Sequence, residues 1–172
     1  MTDPMTLASI EKAAAVVYRS MGPTPQYVWP LLRKASGVEV VVKHENHTPT
    51  GAFKLRGSLT YMDWLRRTHP DVRGIVTATR GNHGQGQALA ATRAGLRAKI
   101  FVPHGNSTEK NAAMASFGAE LTEFGEDFDE AKLEAHRVAE AESYAFVPPY
   151  HDAIVAGVAT YGLELFRAVE AI

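Results

Sequence analysis

Apolar positions in this chain recur first at helical spacing and then in short runs separated by helical stretches. Leu7, Ile10, Ala14, Val17 and Met21 fall three or four residues apart, which predicts a helix over 4–20 stopped by Gly22. Pro23-Thr24-Pro25 forces an extended segment. The β-branched run at 38–43 reads as a strand, and a loop rich in Thr, Pro and Gly covers 44–53. Lys54 closes that loop, and Leu55, Leu59, Met62 and Leu65 then share one side of a helix over 55–67. From there strands at 74–78, 98–102, 120–124 and 144–147 alternate with helices at 83–94, 108–117 and 129–142, two of which end at Gly95 and Gly118. A last helix starts near 152, and its apolar face (Val155, Val158, Ala159, Leu163, Phe166, Val169) is still running at Ile172 with no Gly, Pro or polar tail. A natural C-terminus can end this way, but an interrupted chain does so more readily, and exposed apolar surface on 152–172 is expected to favour association or partial disorder. Strands separated by helices of about 10–15 residues predict βαβ units. The expected fold class is α/β: an open twisted, mainly parallel sheet with helices on both faces, in three layers.

The bulk numbers narrow the function classes. A chain of 172 residues can bury about two-thirds of the surface its unfolded form exposes. Eighteen basic and 19 acidic residues leave a net charge of −1, which gives no field for nucleic acid or an anionic membrane. There is no cysteine, so disulfides, thiolate nucleophiles and cysteine metal sites are excluded. Met1-Thr2-Asp3-Pro4 carries an acid and no basic stretch before an apolar segment, and no apolar run approaches the roughly 20 residues that span a bilayer. A soluble, cytoplasmic protein is the expectation. His44, His47, His83 and His104 lack metal-ligand spacing; His136 and Glu140 lie four apart but lack a second His, so an exposed helix face is expected there rather than zinc. Trp29 and Trp64 read as packing residues.

Two runs carry candidate chemistry. The first is His47-Thr48-Pro49-Thr50-Gly51-Ala52-Phe53-Lys54-Leu55-Arg56-Gly57-Ser58. The second, Thr77-Ala78-Thr79-Arg80-Gly81-Asn82-His83-Gly84-Gln85-Gly86, falls between a predicted strand and a helix N-terminus. Unpaired amides and the helix dipole there favour an anion, and Gly81 and Gly84 let backbone approach a ligand. Its glycines are in the wrong order for a dinucleotide loop, and Lys54 precedes the second glycine that a Walker A loop would place before it. A dinucleotide-binding domain is therefore the weakest reading.

The pair of runs resembles the β-family of pyridoxal-phosphate enzymes, fold type II, in its threonine and serine dehydratase branch. The resemblance extends from Thr24-Pro25 to Thr160, and Phe53, Lys54, Arg56 and Gly57 match the family's lysine run in register. It implies that Lys54 is the catalytic residue and carries pyridoxal 5′-phosphate as a Schiff base, with Phe53, Lys54 and Asn82 binding the cofactor. It implies that Thr79, Arg80, Gly81, Asn82 and His83 hold the substrate carboxylate. Such a lysine must lose its proton, so burial or nearby cations, Arg56 among them, are expected around it. Glu45 is expected to support the lysine loop, and His83 to cap its helix or touch the cofactor. By the same likeness, 1–59 would be the start of a large cofactor-binding domain, 60–147 a small α/β domain, and 148–172 a return into the large domain. The resemblance implies that the family's glycine-rich phosphate loop would fall beyond Ile172. The implied activity is elimination on a hydroxy amino acid such as L-threonine or L-serine, giving a 2-oxo acid and ammonia, in a homodimeric enzyme with little activity in this chain alone.

Three departures qualify the resemblance. Ala52 stands where many members have Ser, which weakens serine racemisation. Arg80 replaces a Ser: pointing inward it would favour a second acidic group on the substrate, and pointing outward, the reading preferred over the inward one, it would be a solvated loop arginine. Gly157-Val158-Ala159-Thr160 stands where many members read Gly-Gln-Gly-Thr. Racemisation, 3-hydroxyaspartate dehydration and a non-catalytic binding module stay open as alternatives.

Overall fold

The computed structural model describes residues 5–169. The expectations for 1–4 and for the last three positions lie outside them. Helix α1 (Leu7–Val17) opens on a reciprocal cap: the Thr6 hydroxyl accepts from the Ser9 amide, and the Ser9 hydroxyl accepts from the Thr6 amide. Strands β1 (Gln26–Val28) and β2 (Val41–Lys43) pair antiparallel, with Gln26 opposite Lys43. Between them runs α2 (Pro30–Ser36). The strand expected over 38–43 is thus only its last half, and β1 and α2 are elements the pattern did not predict. Pro30 hid α2: a proline reads as a breaker, yet at the first helical position its missing N–H costs nothing. Gly37, at φ 77°, ends the helix in the left-handed conformation.

A 3-10 turn (Glu45–His47) leads into the lysine loop, and α3 (Lys54–Thr68) begins at the lysine itself, one residue earlier than predicted. The chain then alternates through β3 (Gly74–Ala78), α4 (Asn82–Arg93), β4 (Arg97–Val102), α5 (Thr108–Ser116), β5 (Ala119–Glu123), α6 (Phe128–Glu142), β6 (Ala145–Phe146) and α7 (Asp152–Ala168). The sheet order is β5-β4-β3-β6, with every neighbour parallel. This is the expected α/β architecture, and the period-2 alternation of the strands explains its layers. Val76, Ala78 and Phe101 face α6 through Ala131, Ala135 and Ala139. Ile75 and Ala98 face the opposite side, where Leu55, Leu59, Leu65, Ala90 and Ala91 of α3 and α4 meet. Ile100 and Val102 pack on that side against Ala88 and Met114. Each such large side chain, fully buried, stabilises the fold by about 1.5–3 kcal/mol.

Helix α7 crosses α3 at backbone contact. A Cβ on Gly157 would stand 2.1 Å from Thr60 Oγ1 and 2.5 Å from the Arg56 carbonyl oxygen; one on Gly57 would stand 2.7 Å from the Ile154 carbonyl oxygen. Over the described residues 152–169, this packing corrects the expectation of an exposed apolar face. Ile154 is buried and Val155, Val158, Ala159 and Leu163 are half-covered, leaving Phe166 as the exposed large side chain of that face. The apolar surface gathers instead on 27–38, where Tyr27, Val28, Trp29, Leu31, Leu32 and Val38 are all exposed. Trp29 packs outside the core: its exposed ring meets Tyr27 and His44 edge-on, and its indole N–H donates to His44 Nε2 at 3.1 Å. Trp64 is half-buried against the core, as expected.

Candidate active site

The chain leaves β3 at its C-terminal end and turns into α4 through Thr79, Arg80 and Gly81. Thr79 is buried, and its Oγ1 accepts from the amides of Gly81 at 3.1 Å and Gly84 at 3.3 Å. The amides of Asn82 and His83, in the first turn of α4, have no partner among the described residues. They are the orphan donors of a helix start, at the positive end of its dipole. Gly84 is required by packing: a Cβ there would stand 2.4 Å from both Met114 Sδ and Thr79 Cγ2.

The lysine run reaches this loop through one contact. A Cβ on Gly86 would lie 2.7 Å from Ser58 Oγ and 3.3 Å from both the Lys54 carbonyl carbon and the Leu55 amide nitrogen. Absence of a side chain at 86 therefore lets α4 rest on the first turn of α3. Lys54 is half-buried, with Nζ 5.3 Å from the centre of the Phe53 ring, and that ring packs 6.1 Å from Tyr161 of α7. His83 senses the same lysine. Burial, and then the positive charge of Lys54, lower its pKa to about 4, so it is neutral at physiological pH. Its Nε2 is buried without a hydrogen bond, as are Thr50 Oγ1 and both amide atoms of Gln87. His83 does not cap its helix: the N-cap is Gly81, with no side-chain hydrogen bond.

Arg56 turns out not to be a free cation beside the lysine. It is fully buried, and its guanidinium donates to Glu45 Oε2 at 2.7 Å, Glu164 Oε1 at 2.6 Å and Thr160 Oγ1 at 2.9 Å. Lys43 adds a second cation 2.6 Å from Glu164 Oε2, and Thr24 donates to Glu45 Oε1 at 2.6 Å. Two cations and two carboxylates thus neutralise one another and tie the loop before β1, the end of β2, α3 and α7 together under the lysine. Burial alone would raise the Glu164 pKa; hydrogen bonds from Arg56 and Lys43 outweigh it and hold that carboxyl below its usual range. Glu45 supports the lysine loop in this way. Glu164 was missed, although its place four residues after Thr160 on one helix face was a usable signal.

The structure therefore places Phe53 and Lys54 at one helix start and Thr79, Arg80, Gly81, Asn82 and His83 at the next, joined through Gly86. Arg80 and Asn82 are exposed. A cavity of about 940 Å³ lies elsewhere, lined by Trp64, His69, Val72, His136, Tyr144 and Phe146, at the N-terminal end of β3 and so at the far end of the sheet from Lys54. His136 is exposed there and stacks 3.6 Å from Phe146.

Comparison with known proteins decides the family. The family model described as pyridoxal-phosphate dependent enzyme matches residues 17–172. The chain belongs to that family. Among its pyridoxal-phosphate dependent relatives, the biosynthetic L-threonine dehydratase of Pasteurella multocida is 36% identical over 152 residues, covering 88% of this chain and 29% of that protein. The processed form of threonine deaminase isoform 2 from Solanum lycopersicum superposes with a TM-score of 0.86 at 32% identity, over 96% of this chain and 46% of that one. A pyridoxal 5′-phosphate-dependent aspartate racemase gives 0.90 at 29% identity, over 98% and 53%. The chain thus spans between 29% and 46% of the length of the curated relatives it matches. The residues present fit the family's cofactor. They offer a primary amine beside an aromatic face, free amides at a helix start, and buried donors and acceptors on His83, Thr50 and Gln87 that no protein group satisfies.

Proposed function

We propose that this chain contributes the lysine and the substrate-carboxylate loop of an enzyme that eliminates the hydroxyl of a hydroxy amino acid such as L-threonine or L-serine, giving a 2-oxo acid and ammonia. The observation that carries the reading is the seating of Gly86 on the Lys54 peptide, which sets an amine and an anion-binding helix start side by side. Lys54 would hold the cofactor through its amine, with Phe53 beside it and Asn82 as hydrogen-bond donor to the cofactor ring. The amides of Asn82 and His83 would receive the substrate carboxylate at the α4 N-terminus. Bound pyridoxal phosphate supplies an electron sink for negative charge at the substrate Cα. With the cofactor bound, the Lys54 amine would take the proton from the substrate Cα as general base. Neutral His83 keeps a second positive charge away from that amine. The buried Arg56–Glu45–Glu164 group holds α3, and hence the lysine, at a fixed angle to α7. In this reading 60–147 is the small domain and 1–59 with 148–172 belong to the larger one, and the cytoplasm is the site of action.

The test is a titration of the 172-residue protein with pyridoxal phosphate, followed by borohydride reduction and peptide mapping. A pyridoxyl group on Lys54 alone is the expected result. Labelling scattered over surface lysines, or none, overturns the assignment.

A further inference from the structure

Two cations stand at the mouth of the carboxylate loop without an acid to balance them. Arg80 is exposed and makes no ion pair or side-chain hydrogen bond among the described residues. Lys110, on α5, reaches across the loop from the other side. Its Cδ lies 3.0 Å and its Nζ 3.4 Å from where a Cβ on Gly81 would be, so the ammonium sits over the residue between Arg80 and Asn82. Lys110 is exposed and likewise forms no ion pair among the described residues. The acids of this region are engaged elsewhere or leave the cations alone: Glu123 faces His104 and accepts from Asn111, and Glu109 pairs with neither cation.

A single carboxylate does not need this much positive charge. The free amides of Asn82 and His83, with the helix dipole behind them, already suit one anion. Arg80 and Lys110 add two further positive charges beside those amides, and the second anion of a ligand would be attracted to them. A guanidinium also presents a planar fork that matches a carboxylate or a phosphate with two parallel hydrogen bonds. We propose that this loop selects an α-amino acid carrying a second acidic group on its side chain, a carboxylate or a phosphate ester, with Arg80 and Lys110 as the residues that read it. The inference rests on the proposed function in taking the loop as the holder of the substrate's α-carboxylate. It deepens that reading by naming the substrate class: an acidic hydroxy amino acid or its phosphorylated equivalent, in preference to threonine.

The test uses the 172-residue chain without cofactor, titrated in turn with L-aspartate, O-phospho-L-serine and L-serine while amide resonances of 79–84 are followed. At least one acidic amino acid is expected to bind about tenfold or more tightly than L-serine, the worth of one charge-assisted hydrogen bond. Which of the two does so identifies carboxylate or phosphate as the group read. Arg80→Ser and Lys110→Met are each expected to remove most of the preference while leaving the folded spectrum intact, since both side chains are exposed. Equal binding of all three, no binding of any, or a preference that survives both substitutions overturns the proposal. Pyridoxyl labelling of Lys54, scored in parallel, does not depend on either residue, so a failure there marks the functional reading and not this one.

Discussion

At the scale of single residues, the site is a balance of buried charges. Arg56 reads in the sequence as a cation two places from the lysine, and only the fold shows it enclosed by Glu45 and Glu164. Replacing it with Met should destabilise the protein by about 3–5 kcal/mol, because two carboxylates lose their buried partner. Chemical denaturation of the variant measures this, and a loss below about 1 kcal/mol would contradict the network's role. Glu164, whose pKa is held low, contributes stability that is present above the ordinary carboxylate range and lost as pH falls through its lowered value. His83 acts at a higher pH. Its folded-state pKa of about 4 lies below the ordinary 6.5, so the unfolded chain binds the proton first, and stability declines as pH falls from about 6.5 toward 4. Denaturation midpoints across that window should slope in the natural protein and flatten in a His83→Asn variant.

At the scale of elements, the two motif runs meet because one helix lacks a side chain where it touches another. Gly86→Ala should cost about 1–3 kcal/mol and shift the first turn of α3, lowering pyridoxyl labelling of Lys54 in step with the loss. A variant with normal stability and full labelling would show that the contact does not set the lysine's position. The alternating pattern from 74 onward was legible because β3 is buried on both faces, β4 over its last three residues, and helices end at glycines in the left-handed conformation, such as Gly95 and Gly118. The stretch 23–43 was not. Strands β1 and β2 have three residues each, too short for a period to register, and Pro30 starts a helix where it reads as ending one. In the site, the residues that bond locally were legible and those that arrive from afar were not: Thr79 and Lys54 announce themselves by motif, whereas Lys110 reaches Gly81 from a helix beyond the next strand.

At the scale of the whole molecule, a parallel sheet gathers its strand ends and puts both candidate loops at one of them. The aromatic-lined cavity sits at the other end, and changes there, such as Trp64→Ala, should alter stability without altering the labelling of Lys54. The exposed apolar side chains over 27–38 lie close together in the sequence. Leu31 is 79% exposed and Val38 62%, on an α-helix and loop that bury little against the rest of the chain. Light scattering should show concentration-dependent association of this chain, reduced in a Leu31→Glu, Val38→Glu double variant. Association unchanged by both charges would place the sticky surface elsewhere.

The seat of Gly86 on α3 also constrains the order in which this sequence can drift. The nearest obstacle to a methyl group at 86 is the hydroxyl of Ser58, and the backbone atoms behind it stand farther off, at 3.3 Å. Ser58 can therefore shrink to glycine first, removing the nearest obstacle, and a methyl at 86 then meets the two backbone atoms at 3.3 Å, which must give by a few tenths of an ångström. The reverse order passes through a strained intermediate whose lysine is out of place. The two positions form a one-way step, and the effects of changing both will not be the sum of changing each.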